Sequence, residues 1–190
     1  MLRALDCPSC GAGLAAEGED VAFYCTACRN GFVFERASGA LRPLEVSFLA
    51  LVGKQASRYL PFWALPAEVA IRDRSGRGPA TPRLLGAASG TIAIPAYATS
   101  LQRATALVER YSRELPRFGE RLGERLTGAS LRLEDARTLA RFAVVDAELK
   151  ASDVLTTLDF AVDFGEPRLI GVPFVGAEGQ SADAFFGLPA

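Results

Sequence analysis

The chain contains no histidine. That absence removes the Ser-His-Asp and Cys-His nucleophile pairs, the His-Glu-x-x-His zinc motif and the imidazole base that titrates near neutrality. Most hydrolase chemistry goes with them. The glycines complete no nucleotide motif: Gly11-Ala12-Gly13 is followed by Leu14-Ala15-Ala16-Glu17-Gly18, which misplaces the third glycine of a dinucleotide fingerprint, and no Gly-Lys-Ser/Thr occurs. Ser89, in Gly86-Ala87-Ala88-Ser89-Gly90, is one residue out of register for a Gly-x-Ser-x-Gly elbow and reads as a turn before a strand. A long apolar run is also missing. The most apolar stretch, Val46 to Leu65, is broken by Gly53, Lys54, Gln55, Arg58 and Pro61 and adjoins Pro66, which excludes a transmembrane helix there. Without a catalytic constellation, the chain is expected not to be an enzyme. Lysine occurs only at Lys54 and Lys150, against abundant arginine and alanine; this composition fits a high-GC, bacterial genome.

Cysteine is absent after residue 28, and the four that precede it form two pairs, Cys7-Pro8-Ser9-Cys10 and Cys25-Thr26-Ala27-Cys28. Each Cys-x-x-Cys turn aims two thiolates at one ion, and the intervening segment is long enough for a hairpin that assembles a tetrahedral four-sulfur set. A closed four-thiolate shell has no open position for water or substrate, so the ion is expected to be structural. Zinc is the expected ion. Iron is the alternative, because sulfur geometry alone does not choose between them. Met1-Leu2-Arg3-Ala4-Leu5-Asp6 reaches the first pair without an apolar signal segment, so the thiols are expected to be reduced and the protein cytoplasmic rather than disulfide-bonded.

The knuckle Cys7-Pro8-Ser9-Cys10-Gly11, the extended Val21-Ala22-Phe23-Tyr24 running into Cys25, and the extended Gly31-Phe32-Val33-Phe34 leaving Cys28 resemble zinc-ribbon proteins over residues 1–37. Gly11 supplies the positive φ that the turn beneath the metal needs. Rubredoxin-like iron proteins use the same four thiolates, but Cys25-Thr26-Ala27-Cys28-Arg29-Asn30 lacks the Pro and Gly common in those electron carriers. Ribbons serve many unrelated functions, so the resemblance implies a module and not an activity.

The full chain of 190 residues, 49% hydrophobic and 23% charged with net charge −1, holds this module and one further domain of about 150 residues. The expected fold class is α+β: a zinc ribbon over 1–40, then a domain over 41–190 with two core helices between β units. Alternation at Leu44–Val52, Tyr59–Leu65, Glu68–Ile71 and Gly90–Tyr97 predicts strands over 44–97, with Pro61 and Pro66 confining their segment to edges, bulges or bends. Ser100 caps a helix carrying Leu101, Ala104, Leu107, Val108, Tyr111 and Leu115 on one face. A second helix is predicted from Glu134 to Lys150, its apolar stripe formed by Leu139, Phe142, Ala143 and Leu149. Leu158, Phe160, Val162 and Phe164 alternate with polar neighbours, and Gly165-Glu166-Pro167 predicts a turn into Arg168–Val175, giving a hairpin over 155–175.

Two apolar clusters suggest a partner surface. Tyr59, Phe62 and the only tryptophan, Trp63, adjoin one another, and Phe185 and Phe186 lie in an apolar tail where chain ends are usually polar. Arg72, Arg74, Arg77 and Arg83 cluster in a Gly/Pro-rich stretch and could meet an anion, although the acidic total disfavours nucleic acid. The expectation is a non-catalytic adaptor or accessory subunit of a bacterial complex that binds a protein and does not insert into membranes. Nucleic-acid binding and electron transfer are the alternatives.

Overall fold

The computed structural model describes residues 5–51, 55–77, 90–119, 125–151, 154–177 and 180–190. Its first sheet is antiparallel, with β1 (Ala22–Tyr24), β2 (Gly31–Glu35) and β3 (Ala40–Leu44) in chain order. The two strands expected on either side of the second cysteine pair are present, and β3 extends the sheet to Leu44. The rest of the α+β fold comprises β4 (Val46–Leu49), β5 (Arg58–Arg77), β6 (Thr91–Pro95), α1 (Leu101–Arg113), β7 (Phe118–Gly119), α2 (Leu133–Ala151), β8 (Val154–Phe164), β9 (Arg168–Val175) and β10 (Ala182–Asp183). The second sheet has the order β6-β5-β9-β4-β7, with β8 added on β5 and β10 on β9. Among the described strands, β4 and β9 are the one pair that runs parallel.

β5 is one 20-residue strand where the prolines predicted an interrupted segment. Its first half lies between β6 and β9, and its second half pairs with β8. Pro61 is tolerated because its missing N–H leaves the Ala96 carbonyl free, and that carbonyl accepts from the N–H groups of Ser130 and Leu131. Pro66 falls where pairing passes from β9 to β8, opposite the extra residues 165–167, and its carbonyl accepts from Gly165 N–H. The predicted 155–175 hairpin is therefore corrected. β8 and β9 both run antiparallel to β5, end to end, and Gly165-Glu166-Pro167 is a bulge between them.

Alternate residues of β5 enter different clusters. Leu60, Phe62 and Ala64 pack with Leu107 and Tyr111 of α1 and with Phe174, while Tyr59, Trp63 and Leu65 pack with Phe48 and with Ala136, Ala140 and Val144 of α2. α1 begins as predicted, with the Ser100 hydroxyl accepting from Arg103 N–H. It also protects the end of the sheet, because the buried Ser112 hydroxyl accepts from Ala93 N–H of β6.

Of the stripe predicted to face the core on α2, Ala143 packs against it, but the three large residues turn outward. Ala136, Ala140, Val144, Glu148 and Ala151 are buried, whereas Leu139, Phe142 and Leu149 are exposed, Phe142 at 64%. The sheet accepts the small side chains and leaves the large ones outside. Leu101, placed on the core face of α1 by periodicity, is likewise exposed. Among the described residues, no helix is long and apolar enough to cross a membrane.

The first sheet shares the main core. Ala22 and Tyr24 belong to the same buried cluster as Phe48, Tyr59 and Trp63. Tyr24 meets Phe48 edge-on at 5.1 Å between ring centroids, and Phe48 meets Tyr59 at 5.2 Å. Backbone bonds reinforce the junction: Val21 and Ala22 donate to the Ala129 carbonyl, and Ala129 donates back to Ala22. The sequence-based boundary at residue 40 is thus bridged by shared packing.

Candidate metal centre

Both cysteine turns fold in the same way. Cys7 N–H donates to the Ala12 carbonyl and Gly11 N–H to the Cys7 carbonyl; in the second turn, Cys25 N–H donates to Asn30 and Arg29 N–H to Cys25. The residue after each second cysteine has a positive φ, 74° at Gly11 and 60° at Arg29. Gly11 follows the expectation. Arg29 adopts the same conformation against its steric preference, held by the Cys25 carbonyl below it and the second turn around it.

These turns bring all four sulfurs within 4.8 Å of one another. Cys7 Sγ lies 3.5 Å from Cys28 Sγ, and Cys10 Sγ lies 3.7 Å from Cys25 Sγ. A tetrahedral ion with metal–sulfur bonds of about 2.3 Å needs sulfur–sulfur edges of about 3.8 Å. The separations fit that requirement and are far too long for a disulfide.

The donors around the sulfurs favour thiolates. Burial leaves the Cys28 thiol above its ordinary value although the Asn30 N–H pulls it down, as the Ala12 N–H does at Cys10, the equivalent position in the first turn. Burial pushes the Cys25 thiol up, but the N–H groups of Cys28 and Ala27 and the neighbouring thiols outweigh it and bring it down to about 7. At Cys10 the Ala12 N–H pulls down, while burial and the other three sulfurs together push the thiol up to about 12. Four sulfurs this close cannot all lose protons without a cation among them, and a divalent metal supplies the missing charge. Leu14, Phe23 and Phe32 pack with Cys7 and Cys25 as a small core beneath the site, while Cys10 faces outward.

The other predicted site residues do not form one surface. Tyr59, Phe62 and Trp63 are buried, Phe62 and Trp63 completely, and Trp63 Nε1 donates to the Leu131 carbonyl at 2.8 Å. Their apolar area is used by the protein's own sheet, so the proposed partner surface there is corrected. Arg72, Arg74 and Arg77 lie on β5, not in a loop, and Arg83 lies outside the described residues. Arg74 is directed inward, with its Nε 3.0 Å from Glu148 Oε2 and both side chains buried. It is not an open anion site.

Phe185 and Phe186 are half-buried because the tail is tied back onto the molecule. Asp183 Oδ1 accepts from Tyr111 Oη at 2.7 Å and from the N–H groups of Phe185 and Phe186, while Oδ2 accepts from Leu188 N–H at 2.6 Å. Phe186 meets Tyr111 edge-on at 5.0 Å, and the Arg110 guanidinium lies over the Phe186 ring at 4.3 Å. Burial, reinforced by the Asp183 carboxylate, pushes the Tyr111 phenol far above its ordinary value and keeps it a donor. The Asp-x-x-x-Gly pattern at 183–187 is the turn signal that reveals this knot. Asp183→Asn places an amide among these donors and leaves at least one without an acceptor. Its expected cost is about 2–3 kcal/mol, a fall of roughly 5–10 °C in melting temperature. An unchanged melting temperature would show that the tail adds nothing to the core.

No family model matches the chain, and neither a curated protein nor a solved structure matches it.

Proposed function

We propose that the protein is a non-catalytic interaction module, an accessory subunit or adaptor of a bacterial cytoplasmic complex, whose N-terminal zinc ribbon is a permanent part of the fold. Zinc suits the site because the four thiolates close the coordination shell and the metal-bearing strands enter the main core. An ion used in this way needs neither an exchangeable ligand nor a redox change. Elemental analysis should find one zinc per chain, held by Cys7, Cys10, Cys25 and Cys28; stoichiometric iron would instead support electron transfer.

The interaction reading is carried by one surface. Leu101 of α1 and Leu139, Phe142 and Leu149 of α2 are large, exposed and gathered around a single groove between the two helices. Contiguous apolar surface of this kind marks a protein contact more often than scattered exposed residues do. Retention of a protein from the host by the immobilised chain, lost on Phe142→Lys but kept on Phe34→Lys, would support the reading. Equal retention by both variants, or none by the wild type, would count against it. Phe34 serves as the control because it is exposed on β2, away from the groove.

A further inference from the structure

We propose that the outer edge of β8 is a docking strip for an extended, basic segment of a partner protein, which adds as a strand beside β8 with its cationic side chains on the face of the sheet turned away from α2. The strip does not depend on the groove between the helices.

The backbone supplies the strip. β8 is an 11-residue strand that pairs along its length with the second half of β5, and among the described residues it pairs with no other strand. Alternate residues of an antiparallel strand turn their N–H and C=O groups toward one neighbour, so the remaining groups of β8 point away from β5. β9 continues the line of β8 along β5, and its outer edge is covered by β4 and β10. Among the described residues that cover stops at β9. An unpaired edge of this length is the feature that strand addition uses, its main-chain bonds giving affinity and its alternate side chains giving specificity.

Charge names the occupant. Side chains along β8 and the second half of β5 alternate between two faces. On one face Val69, Phe160, Val162 and Phe164 pack against the core that includes Ala136, Ala140 and Val144 of α2. On the other, Glu68 stands opposite Asp163 and Asp73 opposite Asp159, with Ala70 opposite Ala161 between them. All four acids are exposed, and among the described residues none is in an ion pair. Arg72, exposed where the register shifts after Ile71, offsets at most one of the four charges. Like charges directly opposite one another destabilise a strand pair, and a row of cations laid beside them relieves that repulsion. A second β8 edge is a poor occupant, because it sets these carboxylates against their own kind. A single metal ion fits no better: the acids are spread along the strands, and among the described residues only the four cysteines converge as a ligand set.

The opposite face fixes the pattern of the incoming strand. There the Arg141 guanidinium lies over the Phe164 ring at 5.2 Å, which disfavours a cation on that side. The occupant therefore alternates basic residues, beside Asp159 and Asp163, with apolar residues that extend the row of Phe160 and Val162.

Fluorescence anisotropy of a labelled peptide of alternating lysine and valine, titrated with the full metal-loaded chain to about 300 µM, tests this. The expected result is saturable binding that weakens as salt rises, with no binding of a peptide of alternating glutamate and valine. Asp159→Lys combined with Asp163→Lys should weaken binding about tenfold or more. The milder pair Asp159→Asn and Asp163→Asn should act in the same direction with the far-ultraviolet circular dichroism unchanged. Methylating every second backbone amide of the peptide removes, in one of the two possible phases, the donors that face β8, and binding should be lost in that phase. Absence of binding, or binding indifferent to both aspartate pairs, overturns the inference. Binding retained by both methylated peptides also overturns it, because the acids then attract lysine without strand addition. Phe142→Lys should leave peptide binding unchanged; a loss there would place the peptide in the helix groove and overturn the assignment to β8, while leaving the groove's own role as an interface standing.

Discussion

Removing the metal is expected to melt the whole chain rather than release a small N-terminal module. Tyr24 directly precedes Cys25, and its ring abuts Phe48, which in turn abuts Tyr59 in the centre of the second sheet. Loss of the sulfur cluster frees β1, uncovers these aromatics and leaves Ala129 without its reciprocal backbone bonds to Ala22. Structural zinc contributes apparent binding energies of about 10–16 kcal/mol in small metal-folded peptides, comparable to the 5–15 kcal/mol that holds a typical domain together. The expected result for chelated protein, or for Cys25→Ser, is loss of cooperative unfolding at physiological temperature. Trp63 provides the readout, because it is fully buried in the main core and far along the chain from the cysteines. If its fluorescence melts at the same temperature with and without metal, the two parts are energetically separate. Acidification should act in the same direction as chelation: protons compete with the metal for thiolates, so stability falls as pH falls.

This coupling shows which levels of structure can be read from the chain. The cysteine turns are legible because their conformation is local. Two ligands, the intervening pair and the following residue define each one, and the positive φ of Gly11 follows from its position. Arg29 occupies the equivalent place without a residue type that announces it. Helix α1 is similarly local, with its Ser100 cap and one-sided apolar face.

The orientation of α2 is not local. Periodicity separates Ala136, Ala140 and Val144 from Leu139, Phe142 and Leu149, but the depth available above the sheet decides which set faces in. The same limitation applies to Trp63. An aromatic cluster beside proline resembles an exposed anchor until β5 is known to have a neighbour on each side. The prolines mislead for a related reason: Pro61 removes a donor at a point where the Ala96 carbonyl is needed by Ser130 and Leu131, a circumstance set by distant residues. The end-to-end arrangement of β8 and β9 also depends on a distant partner, since both read their register from one continuous strand.

The sequence groups Arg74 with Arg72, Arg77 and Arg83 as a candidate anion-binding set, and its burial leads to the second large effect. Its Nε donates to Glu148 Oε2, the Glu148 side chain is completely buried, and Oε1 of that carboxylate has no donor among the described residues. The pair links the outer half of β5 to the last turns of α2. Coulomb attraction within a buried pair is largely offset by the cost of desolvating both charges. Removing one partner forfeits the attraction but keeps the other partner's desolvation cost. Arg74→Met and Glu148→Leu are each expected to destabilise the chain by about 3–5 kcal/mol, while the double substitution should cost less than either alone. Urea unfolding of the four proteins measures this cycle. Single substitutions costing under about 1 kcal/mol would mean that the charges are solvated after all, and a double variant as costly as the two singles combined would mean that they act independently. Because Leu149 and Lys150 adjoin Glu148, this pair also holds the outward face of α2 in place.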